Sequence, residues 1–157
     1  MQHKTRSLLA ALAIPLAVGG LSAWLTRTGM DNFYRSVRQP PLSPPAWLFP
    51  VAWTLLYLLM GLASWLVYTD RRHPLGRRPA LTLYGVQLGF NFLWSLLFFS
   101  LRAWLGAFVW LVILWVLILL TLRRFGRIDR RAGWLLVPYA LWVAFAGYLN
   151  LGVFLLN

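Results

Sequence analysis

A chain of 157 residues with 61% hydrophobic and only 11% charged side chains has too little polar surface to cover itself in water, which excludes a soluble globular domain. Its formal charge of +12 comes from 15 Lys and Arg against 3 acids, but these cations sit in short stretches between apolar runs and form no stripe on a folded surface, so no nucleic-acid partner is expected. Cysteine is absent, which excludes disulfides, thiolate nucleophiles and sulfur-ligated metals.

Five runs are long enough to cross about 30 Å of hydrocarbon at about 1.5 Å per residue: 8–26, 46–69, 80–101, 103–122 and 132–156. They are continuous, not alternating, so the expected fold is an all-α integral membrane protein, a single bundle of five transmembrane helices, and not a β-barrel. The first run follows Lys4 and Arg6 as a signal peptide would, but its apolar stretch is too long and no A-x-A site follows it, so it is read as a true span. The connector after it, 27–45, is long, aromatic and proline-rich, and Phe33 and Tyr34 favour an ordered lid over a flexible linker. Pro44 and Pro45 stand where the second helix begins, a place where missing N–H groups cost nothing.

Pro50 in the second helix and Pro138 in the fifth are expected to kink them. In the third, Gln87, Asn91 and Trp94 share a face by their spacing of four and three residues. The same helix carries Gly85-x-x-x-Gly89, which serves either packing within the bundle or a homodimer interface. The fourth helix is almost wholly aliphatic, so Trp110 and Trp115 read as packing or lipid-facing residues. Ala140, Ala144 and Gly147 of the fifth offer a close-packing face. Connectors two to four are short, so helices two to five are antiparallel neighbours. Eleven Lys and Arg fall on the N-terminal side and four on the other, namely Arg27, Arg35, Arg38 and Arg102, which puts the N-terminus inside and the C-terminus outside.

Asp31, Asp70, Asp129, His3 and His73 all lie outside the spans, and there is no glutamate. Proton-coupled transport through a buried carboxylate, paired-carboxylate or triad catalysis, and histidine-ligated metal or haem iron within the bundle are therefore not expected, and no obligatory cofactor is. Neutral polar residues do enter the spans. Counting ~1.5 Å per residue, Trp53 and Tyr57 lie some 10–17 Å below the outer face, Trp94 and Asn91 10–15 Å, and Asn150 and Ala146 9–15 Å. Gln87, Asn91 and Asn150 read equally as interhelical hydrogen-bond glue or as the wall of a cavity beneath the first connector.

The stretch FYRSVRQPPLSPPAWLFPVAWTLLYLLMG (33–61), with QLGFNFLWSLLFF (87–99) and VPYALWVAFAGYLN (137–150), resembles the translocator protein family, also called tryptophan-rich sensory proteins and peripheral benzodiazepine receptors. The resemblance covers nearly the whole chain. It implies a five-helix bundle, often a homodimer, binding tetrapyrroles such as protoporphyrin IX and haem, and in animal members cholesterol and benzodiazepine-type ligands. By motif position it implies that Trp53, Asn91, Trp94, Trp142, Ala146 and Asn150 line or border the pocket, with Trp47 at its mouth. Some members degrade protoporphyrin in light, a role that would fall on Trp53 and Trp142. The chain departs from the family at Phe33-Tyr34, Gln39-Pro40 and Leu42, where Trp-Tyr, Lys-Pro and Trp are common, and after Asn150 it lacks the Tyr and basic residue of the animal sterol pattern. Leu66, Tyr68 and Arg71 fit that loose pattern elsewhere and carry little weight.

The leading expectation is a membrane receptor or carrier for tetrapyrroles, with no enzymatic role beyond photo-oxidation of a bound porphyrin. Trp47, Trp53, Tyr57, Gln87, Asn91, Trp94, Trp142, Ala146 and Asn150 are the candidate ligand residues. Arg27, Tyr34, Arg35 and Arg38 are candidate contacts from the connector, the arginines pairing with ligand carboxylates. Alternatives are a porphyrin-consuming photochemical protein and a ligand-independent dimeric regulator. Of the 10 tryptophans, Trp24, Trp47, Trp65, Trp104 and Trp134 lie near span ends and read as interfacial anchors, leaving Trp53, Trp94 and Trp142 to face a flat ligand. An inner membrane is favoured by the uncleaved helical spans, although the family also has outer-membrane members.

Overall fold

The computed structural model describes residues 1–157. Its elements are α1 (Gln2–Ser36), α2 (Leu48–Thr69), α3 (Pro74–Ser95), a π-helical turn at Leu96–Ser100, α4 (Trp104–Ile128), α5 (Arg130–Leu135) and α6 (Val137–Leu156), with no strand. Five segments are long and apolar enough to span a membrane, α3 with its π turn forming the third and α5 with α6 the last, so the five-helix bundle expected from the sequence is the architecture observed. α1 packs on α2 and the π turn, and α4 packs against both α3 and α6.

The sequence reading ended the first helix at residue 26, where the apolar run stops. The helix itself continues ten residues further, to Ser36. Its 35 residues rise about 52 Å, well beyond the ~30 Å hydrocarbon core. Hydropathy reports where the membrane ends, whereas a helix ends where its backbone hydrogen bonds do. No proline intervenes before Pro40, and Phe33 on the added turns is buried against Phe98 and Phe99, with ring centroids 5.2 and 5.4 Å away. α3 likewise starts at Pro74, not 80, and α4 runs through its arginines to Ile128.

The long connector thus shrinks to residues 37–47. It is ordered by its contacts with α6. Tyr148 donates to the Pro41 carbonyl at 2.7 Å, and Arg38 exchanges two backbone hydrogen bonds with the Asn157 side chain at 3.1 and 2.9 Å. Pro40 is buried so close to Gly152 that a Cβ there would lie 2.5 Å from the proline ring.

Only one of the two prolines breaks its span as expected. Pro50 sits in the first turn of α2, where its missing N–H interrupts no ladder, and Pro138 marks the break between α5 and α6 at the end of the bundle far from the connector. Nor do Ala140, Ala144 and Gly147 form one packed face. Ala140 and Gly147 are buried, Gly147 facing Leu111, but Ala144 is exposed.

Two aspartates organise the corners at the end opposite the connector. Asp70 accepts from Arg72 Nε at 2.8 Å and from the His73 backbone N–H at 2.9 Å, while Arg72 reaches the Ile128 carbonyl at the end of α4. Desolvation alone would raise the Asp70 carboxyl, but hydrogen bonds from Arg72 and His73 outweigh it and hold it down to about 2. Asp129 caps α5 by accepting the Arg131 N–H at 2.9 Å, and the hydrogen bond from the Arg131 side chain is the main cause that lowers its pKa.

Candidate ligand cavity

A cavity of about 360 Å³ opens beneath the connector, between the connector-side halves of α1, α2, α3 and α6. This lies in the range of small-molecule sites, at its small end. A larger depression of about 830 Å³ beside the N-terminus is lined by only six residues, among them Met1, His3 and Tyr68, and lacks the enclosing walls that bury a ligand.

Eight aromatic side chains wall the cavity: Phe33, Tyr34, Phe49, Trp53, Tyr57, Trp94, Phe98 and Phe99. The π turn explains three of them. A regular α-helix aims residues four apart at one face and turns the next residue away by about 100°. Here the wider turn brings Trp94, Phe98 and Phe99 to the same wall, with Trp94 and Phe98 stacked at 5.2 Å and Phe99 edge-on to Phe98 at 4.9 Å. Gly29 makes the fit of α1 against this turn possible, since a Cβ there would lie 2.5 Å from the Phe99 carbonyl oxygen.

Of the candidate residues, Tyr34, Trp53, Tyr57, Trp94, Ala146 and Asn150 line the cavity. Gln87 and Asn91 do not. Both are 1% exposed and lie behind the wall in a chain of hydrogen bonds. Tyr57 donates to Asn91 Oδ1 at 3.4 Å, Asn91 donates to the Tyr139 hydroxyl at 2.8 Å, and that hydroxyl donates to Gln87 Oε1 at 2.7 Å. For these two amides the interhelical glue reading is the one the geometry supports. Asn150 combines both roles, because it touches the cavity while accepting from Trp94 Nε1 at 3.1 Å and donating to the Trp104 carbonyl at 2.8 Å. Trp94 therefore offers a ligand its ring but not its N–H.

Trp142 is not among the lining residues. It packs between Phe49 and Phe145, both at 5.8 Å, and its buried N–H has no partner. Trp53 and Trp142 thus share no cavity wall, because the position of Trp142 around α6 turns its ring behind Phe49. Trp47 is 66% exposed at the start of α2 and also lies outside the cavity. None of the three connector-side arginines lines it: Arg27 lies over the Trp24 ring at 4.7 Å, Arg35 is exposed, and Arg38 is engaged through its backbone with Asn157. Gly85 and Gly89 face away from the bundle with no atom within 4 Å of a built Cβ, which removes the reading that they pack helices within one copy.

The remaining tryptophans also sort by contact. Trp24 and Trp134 are exposed as interfacial anchors should be, but Trp65 donates to Ser7 at 3.1 Å and Trp104 is half-buried against the core. Trp110 and Trp115 pack, with their N–H groups on the Phe90 and Ala140 carbonyls at 2.8 and 3.0 Å.

Apart from Tyr34, the sequence reading missed the α1 wall: Gly19, Ser22, Thr26, Met30 and Phe33. Its signal was present as a spacing of three and four residues that runs without interruption from Gly19 through the stretch read as connector.

The TspO/MBR family profile matches residues 11–156. The chain is 35% identical over 157 residues to the tryptophan-rich protein TspO of Chlorobaculum tepidum, covering 100% of this chain and 99% of that one. It is 36% identical over 149 residues to the tryptophan-rich sensory protein of Cereibacter sphaeroides, covering 95% and 88%. With the translocator protein of Bos taurus it shares 33% over 144 residues, covering 87% and 82%. Near-complete coverage at these identities, on a bundle of five membrane-length helices, makes this chain a member of the TspO/MBR family of membrane proteins.

Proposed function

We propose that this protein is a membrane receptor or carrier that holds a tetrapyrrole, protoporphyrin IX or haem, by stacking and shape in the cavity beneath the 37–47 connector. The observation that carries the reading is the wall of eight aromatic side chains around about 360 Å³, which suits a flat aromatic ligand held without an axial ligand or catalytic group. The relatives named translocator and sensory proteins favour a binding role over an enzymatic one. Titrating the detergent-solubilised protein with protoporphyrin IX quenches tryptophan fluorescence saturably, and Trp53→Phe weakens the affinity several-fold. Absence of saturable quenching in the wild type would overturn the proposal.

A second reading, light-driven oxidation of the bound porphyrin, is favoured by one feature. Trp53 faces the cavity and has Tyr57 and Tyr139 rings at 5.6 and 6.2 Å. Under illumination the wild type then consumes porphyrin faster than Trp53→Phe at equal occupancy, whereas Trp142→Phe, a ring removed from the cavity, has a smaller effect. The unpartnered Gly85 and Gly89 face supports a homodimer, and the Lys and Arg asymmetry supports an inside N-terminus.

A further inference from the structure

Serine and threonine hydroxyls in the helices of this protein usually donate to their own backbone. Thr26, Thr54, Ser64, Thr69, Thr82 and Thr121 each bond a carbonyl three or four residues back, at 2.6–2.9 Å. Two that face the cavity do not. Ser22 of α1 is only 4% exposed and Ser95 of α3 is half-buried, and neither hydroxyl has a partner in the protein although both residues line the cavity. Because both hydroxyls border the cavity and bond no protein group, each is free to donate to an acceptor held there. The Tyr34 hydroxyl and the Trp53 N–H are likewise without protein partners.

We propose that Ser22 and Ser95 are the specificity-determining donors of this cavity, and that they select a flat ligand whose edge carries hydrogen-bond acceptors, carbonyl or carboxylate, over one whose edge is purely alkyl. The assignment rests on the tetrapyrrole reading above and deepens it. It also moves acceptor recognition away from the arginines. Arg27, Arg35 and Arg38 do not line the cavity, while the Trp94 and Asn150 groups that face it are already bonded to each other. Ser22 on α1 and Ser95 on α3 place neutral donors on two walls, so the ligand's acceptor edge is oriented between them. Neutral donors also imply little salt dependence, in contrast with arginine pairing.

The test compares protoporphyrin IX, which carries two carboxylates, with etioporphyrin, which has the same ring and an alkyl periphery, by tryptophan quenching in mild detergent. Ser22→Ala and Ser95→Ala are each expected to weaken protoporphyrin IX binding roughly three- to tenfold and to leave etioporphyrin binding unchanged. Because neither hydroxyl holds another protein group, the unfolding temperature does not fall in either variant, which separates ligand recognition from a structural role. Equal losses for both porphyrins, no loss, or a loss in only one of the two variants would overturn the pair as specificity donors while leaving tetrapyrrole binding intact. Protoporphyrin affinity that collapses in high salt and in an Arg27→Gln, Arg35→Gln, Arg38→Gln triple variant, with the serine variants unaffected, assigns the acceptors to the arginines instead. A wild type that binds neither porphyrin overturns both the tetrapyrrole reading and this one.

Discussion

Asn150 and Asn91 both read from the sequence as candidate ligand residues, but their bonds divide them. Asn150 ties α3 to α4 and α6 through the Trp94 indole and the Trp104 carbonyl. Asn150→Leu strands both groups inside the bundle, so it should cost about 1–2 kcal/mol of stability, read as a lower detergent unfolding midpoint. Trp53→Phe strands no protein group and should leave that midpoint nearly unchanged while weakening porphyrin binding. Leu42 presents a different residue-scale effect. Its φ of 68° lies in the left-handed region, and the side chain is 83% exposed, so it gains little there to offset the strain. Leu42→Gly should therefore raise stability by roughly 1 kcal/mol, measured in the same unfolding assay. None of this was legible from residue type, because an amide or indole at a given depth reads the same whether its partner is another helix or a ligand.

At the scale of elements, the extended α1 and the π turn of α3 are built against each other. Gly29 is the contact point, and Gly29→Ala would press a Cβ against the Phe99 carbonyl. The expected outcome is a loss of about 1–3 kcal/mol together with weaker porphyrin binding, since displacing the turn also moves Phe98 and Phe99. Unchanged binding and stability would mean that this wall yields freely. The existence of the five helices was legible from runs of apolar residues, but the end of α1 was not. Polar residues after Thr26 leave the hydrocarbon without leaving the helix, and the three-and-four spacing through Thr26, Met30 and Phe33 was the available signal. The π turn has no such signal, since it arises from how α3 meets its neighbours and is not marked by glycine or proline.

For the whole molecule, stability toward acid and association in the membrane are the informative properties. The folded Asp70 carboxyl is held at about 2, below the ordinary value of about 3.9. A depressed carboxylate contributes stability that is fully present above about pH 4 and is lost as pH falls through about 2. Unfolding midpoints should therefore be insensitive to Asp70 titration from pH 7 to 5 and decline below about pH 4. Asp70→Asn should lower the midpoint at neutral pH and flatten that acid-side decline. In the membrane plane, Gly85→Leu and Gly89→Leu add bulk to an outward face that touches nothing within one copy. If a homodimer uses this face, cross-linking in mild detergent drops sharply in both variants while the monomer stays folded, and undiminished cross-linking assigns the dimer elsewhere.

Hydropathy and length alone determined that this chain is a five-helix membrane bundle, because about twenty apolar residues in a row have few other low-energy environments. The three motif blocks determined the family. Only the tertiary structure decided which polar and aromatic side chains meet in the cavity. That outcome depends on how far each helix is rotated about its axis, and small changes in packing turn a residue from wall to interior: Trp53 and Trp94 face the cavity, Trp142 lies behind Phe49, Gln87 and Asn91 serve the core, and Ser22, on a helix the sequence did not implicate, contributes an unpartnered hydroxyl.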